Sequence, residues 1–336
     1  MTGIDDVARA AGVSTATVSR ALRGLSGVST ATRDRVLATA DSLGYVPSSS
    51  AAHLASGRTR AMGVLLPVID RWYFASALEG VERVLRAAGY DLIVFSLGGT
   101  GTNRERVFHR SMLRKRIDAL LVMCMELTAD ELAALQALEY PNVIVGGQVD
   151  GLRSVSVDDA AAAAEAVEHL IGLGHTRIAH LQGGGAYGID FDVPRRRALA
   201  FRDTMARHGL RVRPEWLAMG DFRFAAGRTA AGRLLDTPGD RPTAIFASAD
   251  EMAFGALRAA QERGLRVPED VSVVGIDDHE FAEPMGLTTV RQRPDQQGAY
   301  AARLLLAELQ GKARLDVPRV QPHELVVRAS TAPPSS

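Results

Sequence analysis

The sequence predicts an all-α helix-turn-helix head, followed by an α/β body of two lobes with parallel sheets flanked by helices. Three observations predict it. The opening stretch MTGIDDVARAAGVSTATVSRALR reads as a helix, a tight turn and a second helix. From about residue 61, short apolar strands alternate with amphipathic helices, a pattern that favours parallel sheets with right-handed crossovers. That alternation comes in two sets of similar size, hence two lobes. With 336 residues the chain also exceeds one typical core.

In the head, Val7, Ala8 and Ala11 fall on one face of the first helix, which Gly12 breaks. Val13 fills the corner, and Ser14 is placed to cap the next helix by accepting a backbone N–H. That second helix, Thr15 to Arg23, buries Val18, Ala21 and Leu22. Its other face shows Thr15, Ala16, Ser19, Arg20 and Arg23. Short hydroxyls reach phosphate, and an arginine fork can grip guanine O6 and N7, so this face suits a major groove. Ser29 can cap a third helix, Thr30 to Leu43, expected to bury Val36, Leu37, Ala40 and Leu43 before Gly44 ends it. Residues 1–46 form this domain. In 47–60, Pro47 and Gly57 bracket about two helical turns, too short to persist alone in water.

The body then reads MGVLLP, helix 75–88, DLIVFS, helix 103–114, DALLVM, helix 129–138, NVIVG. The second set is helix 159–172, RIAHLQG, helix 195–207, WLAMG, helix 225–235, TAIFAS, helix 251–262, VSVVGI. In such sheets ligands bind beyond the carboxyl ends of the strands, here in the cleft between lobes.

Composition narrows the function classes. The hydrophobic content of 46% and charged content of 23% are ordinary for a globular protein. Net charge is zero, but residues 1–60 hold seven arginines against four aspartates, a local excess that suits a DNA-binding head. The single cysteine, Cys124, excludes an internal disulfide and a Cys-cluster metal site, and reads as a buried core thiol. No signal-peptide h-region and no membrane-length apolar run are present, so the expected location is the cytoplasm. The eight histidines show no metal-ligand spacing and no catalytic set emerges; the expectation is a protein that is not an enzyme and holds no metal or cofactor.

DDVARAAGVSTATVSRALRG, VSTATRDRVLATADSLGYVP and HLASGRTR resemble the LacI–GalR family of bacterial transcriptional regulators. So do AMGVLLP, YFASALEGVERVLRAAGYDLIVFS, RIDALLVMC, AVEHLIGLGHTRIAHLQG, PTAIFASADEMAFGALRAAQERGLRVPEDVSVVGIDD and LTTVRQ in the body. The resemblance covers nearly the whole chain. It implies a periplasmic-binding-protein-like effector and dimerisation domain over 61–330. Three crossovers near 158, 290 and 320 would divide it into a first lobe, about 61–158 plus 290–319, and a second, about 159–289 plus 320–330. Residues 331–336 are expected to be a disordered tail.

The resemblance places base reading on Thr15, Ala16 and Arg20, with Arg20 the expected base contact. Ala16 can offer only apolar contact, for instance with a thymine methyl. Phosphate contacts fall on Ser14, Thr17 and Thr32. Leu54 matches the leucine that wedges into the central minor-groove step, where an apolar wedge unstacks and kinks the duplex. In the body, Phe74, Arg197, Phe222, Asp277 and Gln292 match the family's ligand positions. Arg197 and Asp277 would pair donors with acceptors for vicinal hydroxyls and Phe222 would add a flat apolar face, which suits a sugar ring. Two departures stand out: Gly146 and Ala249 lack the hydrogen-bonding side chains frequent in sugar-responsive relatives. They leave open a roomier pocket for a disaccharide, a phosphorylated sugar or a nucleoside. Tyr187 and Phe191 could stack on a larger ligand, and Gly183 to Gly185 resemble a phosphate loop only loosely.

The chain is therefore read as a homodimeric repressor on a near-palindromic double-stranded operator, controlled by a small carbohydrate. A nucleobase- or nucleoside-type co-repressor is the alternative ligand. A sugar-binding protein with no DNA role is the alternative class, opposed by the head.

Overall fold

The computed structural model describes residues 2–45, 58–98, 104–105, 116–138, 140–149, 151–184, 192–236, 241–312 and 320–335. The chain divides into two compact units, Met1–Arg60 and Ala61–Ser336.

In the first unit, helices α1 (Ile4–Ala11), α2 (Thr15–Leu22) and α3 (Thr30–Ser42) close around Val7, Ala8, Ala11, Val18, Ala21, Val36 and Ala40. Gly12 ends α1 with φ 65°, a left-handed conformation that costs glycine nothing. Ser14 caps α2 by accepting the Thr17 N–H at 3.2 Å, and Ser29 caps α3 by accepting the Thr32 N–H at 3.3 Å. Both caps lie in the same pentapeptide, VSTAT, found at 13–17 and again at 28–32. In each copy the serine and second threonine hydroxyls share a hydrogen bond at 2.9 Å.

Two residues expected in this core lie outside it: Leu37 is 45% exposed and Leu43 38%. Positions four apart share a helix face, so Val36 and Ala40 point inward, and Leu37 is turned about 100° away from Val36. Leu43 is the C-cap, past the last regular turn. Of the segment 47–60, only Arg58, Thr59 and Arg60 are described, so Leu54 lies outside the described residues.

The second unit has two six-stranded sheets. Lobe 1 is built from β1 (Ala61–Leu66), β2 (Asp91–Ser96), β3 (Ala119–Met123), β4 (Asn142–Val145), β5 (Ser154–Val157) and β11 (Val320–Gln321), in the order β11-β5-β4-β3-β1-β2. Lobe 2 is built from β6 (Ile178–Gln182), β7 (Leu217–Met219), β8 (Ala244–Ala247), β9 (Ser272–Asp277), β10 (Thr288–Arg291) and β12 (Glu324–Val326), in the order β12-β10-β9-β8-β6-β7. The two sheets share one strand order, and they differ in the direction of the sixth strand, parallel to β5 in lobe 1 and antiparallel to β10 in lobe 2. Every pairing is parallel except β10 with β12. Strands β1, β3 and β9 are buried along their whole length, because a parallel sheet is covered by helices on both faces.

The covering helices are α4 (Trp72–Ala88), α5 (Ala129–Gln136), α6 (Asp159–Gly172), α7 (Asp192–Arg207), α8 (Phe224–Leu235), α9 (Asp250–Glu262) and α10 (Pro294–Leu309). The expected helix 103–114 falls almost wholly outside the described residues. The lobes trade helices: α6 follows β5 of lobe 1 but packs on lobe 2, and α10 follows β10 of lobe 2 but packs on lobe 1 against α4. Helices α4 and α10 touch backbone to backbone. A Cβ on Gly80 would stand 1.9 Å from the Asp295 carbonyl oxygen, and one on Gly298 2.1 Å from that of Ala77. Among the described residues, no helix is long and apolar enough to cross a membrane.

The crossings differ slightly from expectation. The second follows Arg291, and the third lies between β11, in the lobe 1 sheet, and β12, in that of lobe 2. Val320 and Gln321 therefore belong to lobe 1 rather than lobe 2. The C-terminal residues 331–335 are not a loose tail. The Ala332 N–H donates to Ser272 Oγ at 3.1 Å, Thr331 Oγ1 bonds His169 Nε2 at 2.9 Å, and Ser335 Oγ donates to the Glu269 carbonyl at 2.6 Å. Their proline-rich composition suggested disorder, but lobe 2 offers buried polar partners that tie the strap down.

Candidate functional site

The carboxyl ends of the strands in both sheets converge on one cavity of about 970 Å³, part of it open to solvent. Many of its contributors stand at strand ends: Pro67 and Val68 after β1, Cys124 after β3, Gly146 after β4, Gly184 after β6, Phe222 after β7, Ala249 after β8, Gln292 after β10, and Asp277 at the end of β9; others, Phe74 and Arg197 among them, come from helices α4 and α7. This is the crevice where open α/β sheets receive ligands. Phe74, Arg197, Phe222, Asp277 and Gln292 all line it. Four of its residues other than glycine, Cys124, Asp221, Phe222 and Asp277, hold positive φ. Backbone conformations of this kind collect at functional sites, where the surroundings over-determine them.

The polar core of the cavity belongs mainly to lobe 2. Arg197 is 4% exposed. It donates Nε and Nη2 to Asp159 Oδ1, at 2.9 and 2.6 Å, and Nη1 to the Ser248 carbonyl. A guanidinium has five N–H groups, so two remain for a ligand. Burial works against the Arg197 charge, but Asp159 and Asp277 more than offset it, and its pKa is raised. Burial pushes Asp159 up against the pull of Arg197.

Asp277 accepts hydrogen bonds from Gln292 Nε2 and, at 3.4 Å, from the Asp250 N–H. Burial raises its carboxyl to about 7, against the lowering influence of Arg197 and Gln292. Asp250 lies behind it, fully buried, and accepts from Thr289 Oγ1 at 2.6 Å and the His279 N–H at 2.9 Å. Glu251 accepts the Trp72 N–H at 3.2 Å across the lobes, and burial raises its pKa. The Trp72 ring also lies 4.8 Å from that of His279, and Arg223 reaches Asp70 at 3.2 Å, so three contacts hold the lobes together at the mouth.

The Gly146 departure has a steric explanation. A Cβ there would lie 2.3 Å from Cys124 Sγ and 2.9 Å from the Tyr73 hydroxyl, and the residue has φ 74°. The cavity is not roomier at this point, because Tyr73 and Cys124 fill the space. Tyr73 donates its hydroxyl to Gln297 Oε1 at 3.0 Å, and Gln297 Nε2 donates to the Gln292 carbonyl at 2.7 Å. Gln292 then reaches Asp277, so a run of side chains crosses from lobe 1 to lobe 2. Burial pushes the Cys124 thiol up to about 12, which leaves it inert. Gly183 serves Phe222 rather than a phosphate: a Cβ there would stand 2.0 Å from the phenyl ring. Tyr187 and Phe191 lie outside the described residues.

Tyr73, Asp159, Glu251 and Gln297 were not anticipated. Asp159 had a local signal, a second acid at the start of α6 directly after a strand end. Tyr73 and Gln297 are 224 residues apart, and only the fold brings them together.

In the head, Ser14, Thr15, Ala16 and Arg20 are exposed on α2, while Thr17 and Thr32 are half-buried. The Thr17 and Thr32 hydroxyls are held by their cap serines at 2.9 Å. Arg23 donates Nε back to the Ser19 carbonyl at 3.1 Å.

A helix-turn-helix head on a body whose two sheets share one ligand-sized cavity defines a class, that of the ligand-responsive DNA-binding regulators. Residues 3–48 match the family of bacterial regulatory proteins of the lacI type, and residues 167–331 match a periplasmic binding protein-like domain. The chain is 34% identical over 335 residues to catabolite control protein A of Priestia megaterium, covering 98% of each. The solved lac repressor dimer bound to operator and the anti-inducer ONPF superposes with a TM-score of 0.85 at 28% identity, over 98% of this chain and 99% of that one. A complex of the transcriptional regulator CelR with cellobiose matches with a TM-score of 0.70 at 30% identity, over 98% of this chain and 100% of that one. The chain belongs to the LacI family of transcriptional regulators.

Proposed function

We propose that the chain represses transcription as a homodimer on a near-palindromic operator, and that its effector is a small carbohydrate bound between the lobes. The observation that carries the effector assignment is the convergence of Arg197, Asp277 and Phe222 on one cavity. A planar donor, a carboxylate acceptor and an aromatic face are the groups a sugar ring requires. Among the described residues, both arginines that line the cavity already hold a carboxylate, Arg197 on Asp159 and Arg71 on Asp70. That pairing disfavours phosphorylated ligands.

On the DNA side, Thr15, Ala16 and Arg20 face the base edges, with Arg20 the base contact, and Ser14, Thr17 and Thr32 meet phosphate; Leu54 would be the minor-groove wedge. The effector shifts operator affinity only as far as it prefers one arrangement of the lobes. The test is fluorescence anisotropy of the full chain on its own upstream promoter DNA, with and without mono- and disaccharides. A sugar-dependent change in affinity supports the reading, and its sign separates inducer from co-repressor. Tight operator binding unmoved by any sugar would overturn the effector assignment.

A further inference from the structure

Arg197 and Phe201 lie four apart on α7 and share one face of it. Phe246, in β8, and Ser248, just past its end, lie two apart and point to the same side. His180, on β6, is paired with Phe246 in the sheet and sits where these two faces meet. Its ring stacks on Phe246 with centroids 4.8 Å apart and lies 4.7 Å from that of Phe201. Its Nε2 is 2.8 Å from Ser248 Oγ. The Ser248 N–H donates to the Leu181 carbonyl at 3.0 Å, and the Ser248 carbonyl accepts from Arg197 Nη1. One histidine therefore joins the aromatic core of lobe 2, through a single serine, to the guanidinium at the cavity.

His180 and Ser248 are both fully buried. Packing alone does not call for an imidazole between two phenyl rings, because an apolar side chain would fill that slot without taking nitrogens out of water. Among the described residues, His180 Nδ1 has no partner. Placing the ring proton on Nε2 gives that N–H an acceptor in Ser248 Oγ and leaves Nδ1 with only a lone pair, the less costly orphan. Burial pushes the ring down to about 3, so it is neutral at neutral pH and has one N–H to give. Ser248 is then held at three points, its N–H, its Oγ and its carbonyl, and its peptide is not free to turn. Asp159 grips Arg197 by Nε and Nη2, and the Ser248 carbonyl fixes the Nη1 edge that Asp159 leaves. We infer that His180 is a positioning residue, whose Nε2–H holds Ser248 so that the serine carbonyl sets the Arg197 guanidinium in the cavity wall. Neither His180 nor Ser248 lines the cavity, so the histidine acts on it only through Arg197. What Arg197 then holds rests on the carbohydrate reading; the positioning itself does not.

The experiment compares three full chains: the parent, His180→Phe and His180→Gln. Phenylalanine keeps the stack and loses the donor. Glutamine loses the stack and offers its own Nε2–H at the same reach. Nitrogen-15 NMR of deuterated protein reads the solvent exchange of the Arg197 guanidinium protons, beside the melting temperature of each chain. In His180→Phe that exchange should quicken about tenfold, the worth of one hydrogen bond, while the melting temperature holds or rises. In His180→Gln the exchange should return to the parent rate while the melting temperature falls. A packing role alone predicts the opposite ranking. The parent imidazole should show Nε2 protonated and Nδ1 bare, unchanged between about pH 5 and 8. Calorimetry with glucose, galactose, mannose and xylose adds a binding readout: the tightest sugar should weaken about tenfold in His180→Phe and recover in His180→Gln. Arg197 exchange that is unchanged in His180→Phe overturns the inference, and so does a proton found on Nδ1. A panel in which no sugar binds overturns the carbohydrate reading alone, because the exchange rates decide the role of His180 without a ligand.

Discussion

Gly146→Ala tests the steric account of the cavity floor, and its magnitude follows from the contacts. The substitution places a Cβ 2.3 Å from Cys124 Sγ at a residue with φ 74°. Left-handed backbone costs a non-glycine residue about 1–2 kcal/mol wherever it occurs. Overpacking against a rigid neighbour adds about 1–3 kcal/mol. Cys124 is such a neighbour, since it is buried and itself held at φ 45°. The single substitution should therefore destabilise the body by about 2–5 kcal/mol. In a Cys124→Ala background the sulfur is gone, and the backbone component remains together with the lesser contact of the new Cβ with the Tyr73 hydroxyl at 2.9 Å. A double-mutant cycle by urea denaturation, followed through the body transition, should give a coupling energy of about 1–3 kcal/mol. Additive effects, within about 0.5 kcal/mol, would refute the reasoning. Cys124 would then not be what keeps position 146 bare.

Three further outcomes are expected. The Asp277 carboxyl is raised by burial to about 7, so across the range from its ordinary 3.8 to about 7 the folded chain holds a proton that the unfolded chain has released. Its contribution to stability is therefore fullest below about 3.8 and is lost as pH climbs to about 7; Asp277→Asn should flatten stability over that window in thermal melts at stepped pH, and an unchanged slope would count against the buried carboxyl. Tyr73→Phe keeps the ring but removes the hydroxyl that donates to Gln297, so effector affinity by calorimetry should hold while the effector-driven change in operator anisotropy weakens; equal loss of both would make Tyr73 a binding residue only. Arg20→Ala should cost about 1–3 kcal/mol of specific operator binding and relax preference at one base position, and a variant with unchanged preference removes Arg20 from base reading.

Much of the fold was legible because local chemistry determines it. Ser14 and Ser29 cap the helices they were expected to cap, since a serine before a helical run has few other uses. The alternation of strands and helices in the body was readable for a similar reason: parallel strands buried on both faces leave continuous apolar runs. The family resemblance named Phe74, Arg197, Phe222, Asp277 and Gln292, and all five line one cavity; Asp277, Phe222 and Gln292 also sit at or just after strand ends, where such sheets receive ligands. What escaped depends on distant partners. The strap at 331–335 looked disordered because its anchors, Ser272, His169 and Glu269, lie far back in the chain. Gly146 looked like extra room because nothing nearby in sequence announces that Tyr73 lies over it. Leu37 was misjudged for a simpler reason: apolarity outweighed helical phase in the reading, and phase decides which side faces in.

The exchange of α6 and α10 between lobes bears on how the chain is made. A ribosome delivers β1 to β5 first, yet the helix that covers them against α4 is α10, and the sixth strand of their sheet is β11. During synthesis the first half must therefore wait, with apolar surface uncovered, until about 150 more residues have emerged, a delay of roughly ten to thirty seconds at ordinary elongation rates. In that interval lobe 2 is also being assembled, using α6 taken from just after β5. Neither lobe can be cut out by a single cleavage of the chain, and a truncated transcript should yield an aggregation-prone fragment rather than half a protein. The head lies entirely upstream of this exchange, so on the ribosome it can fold well before the body that is to control it.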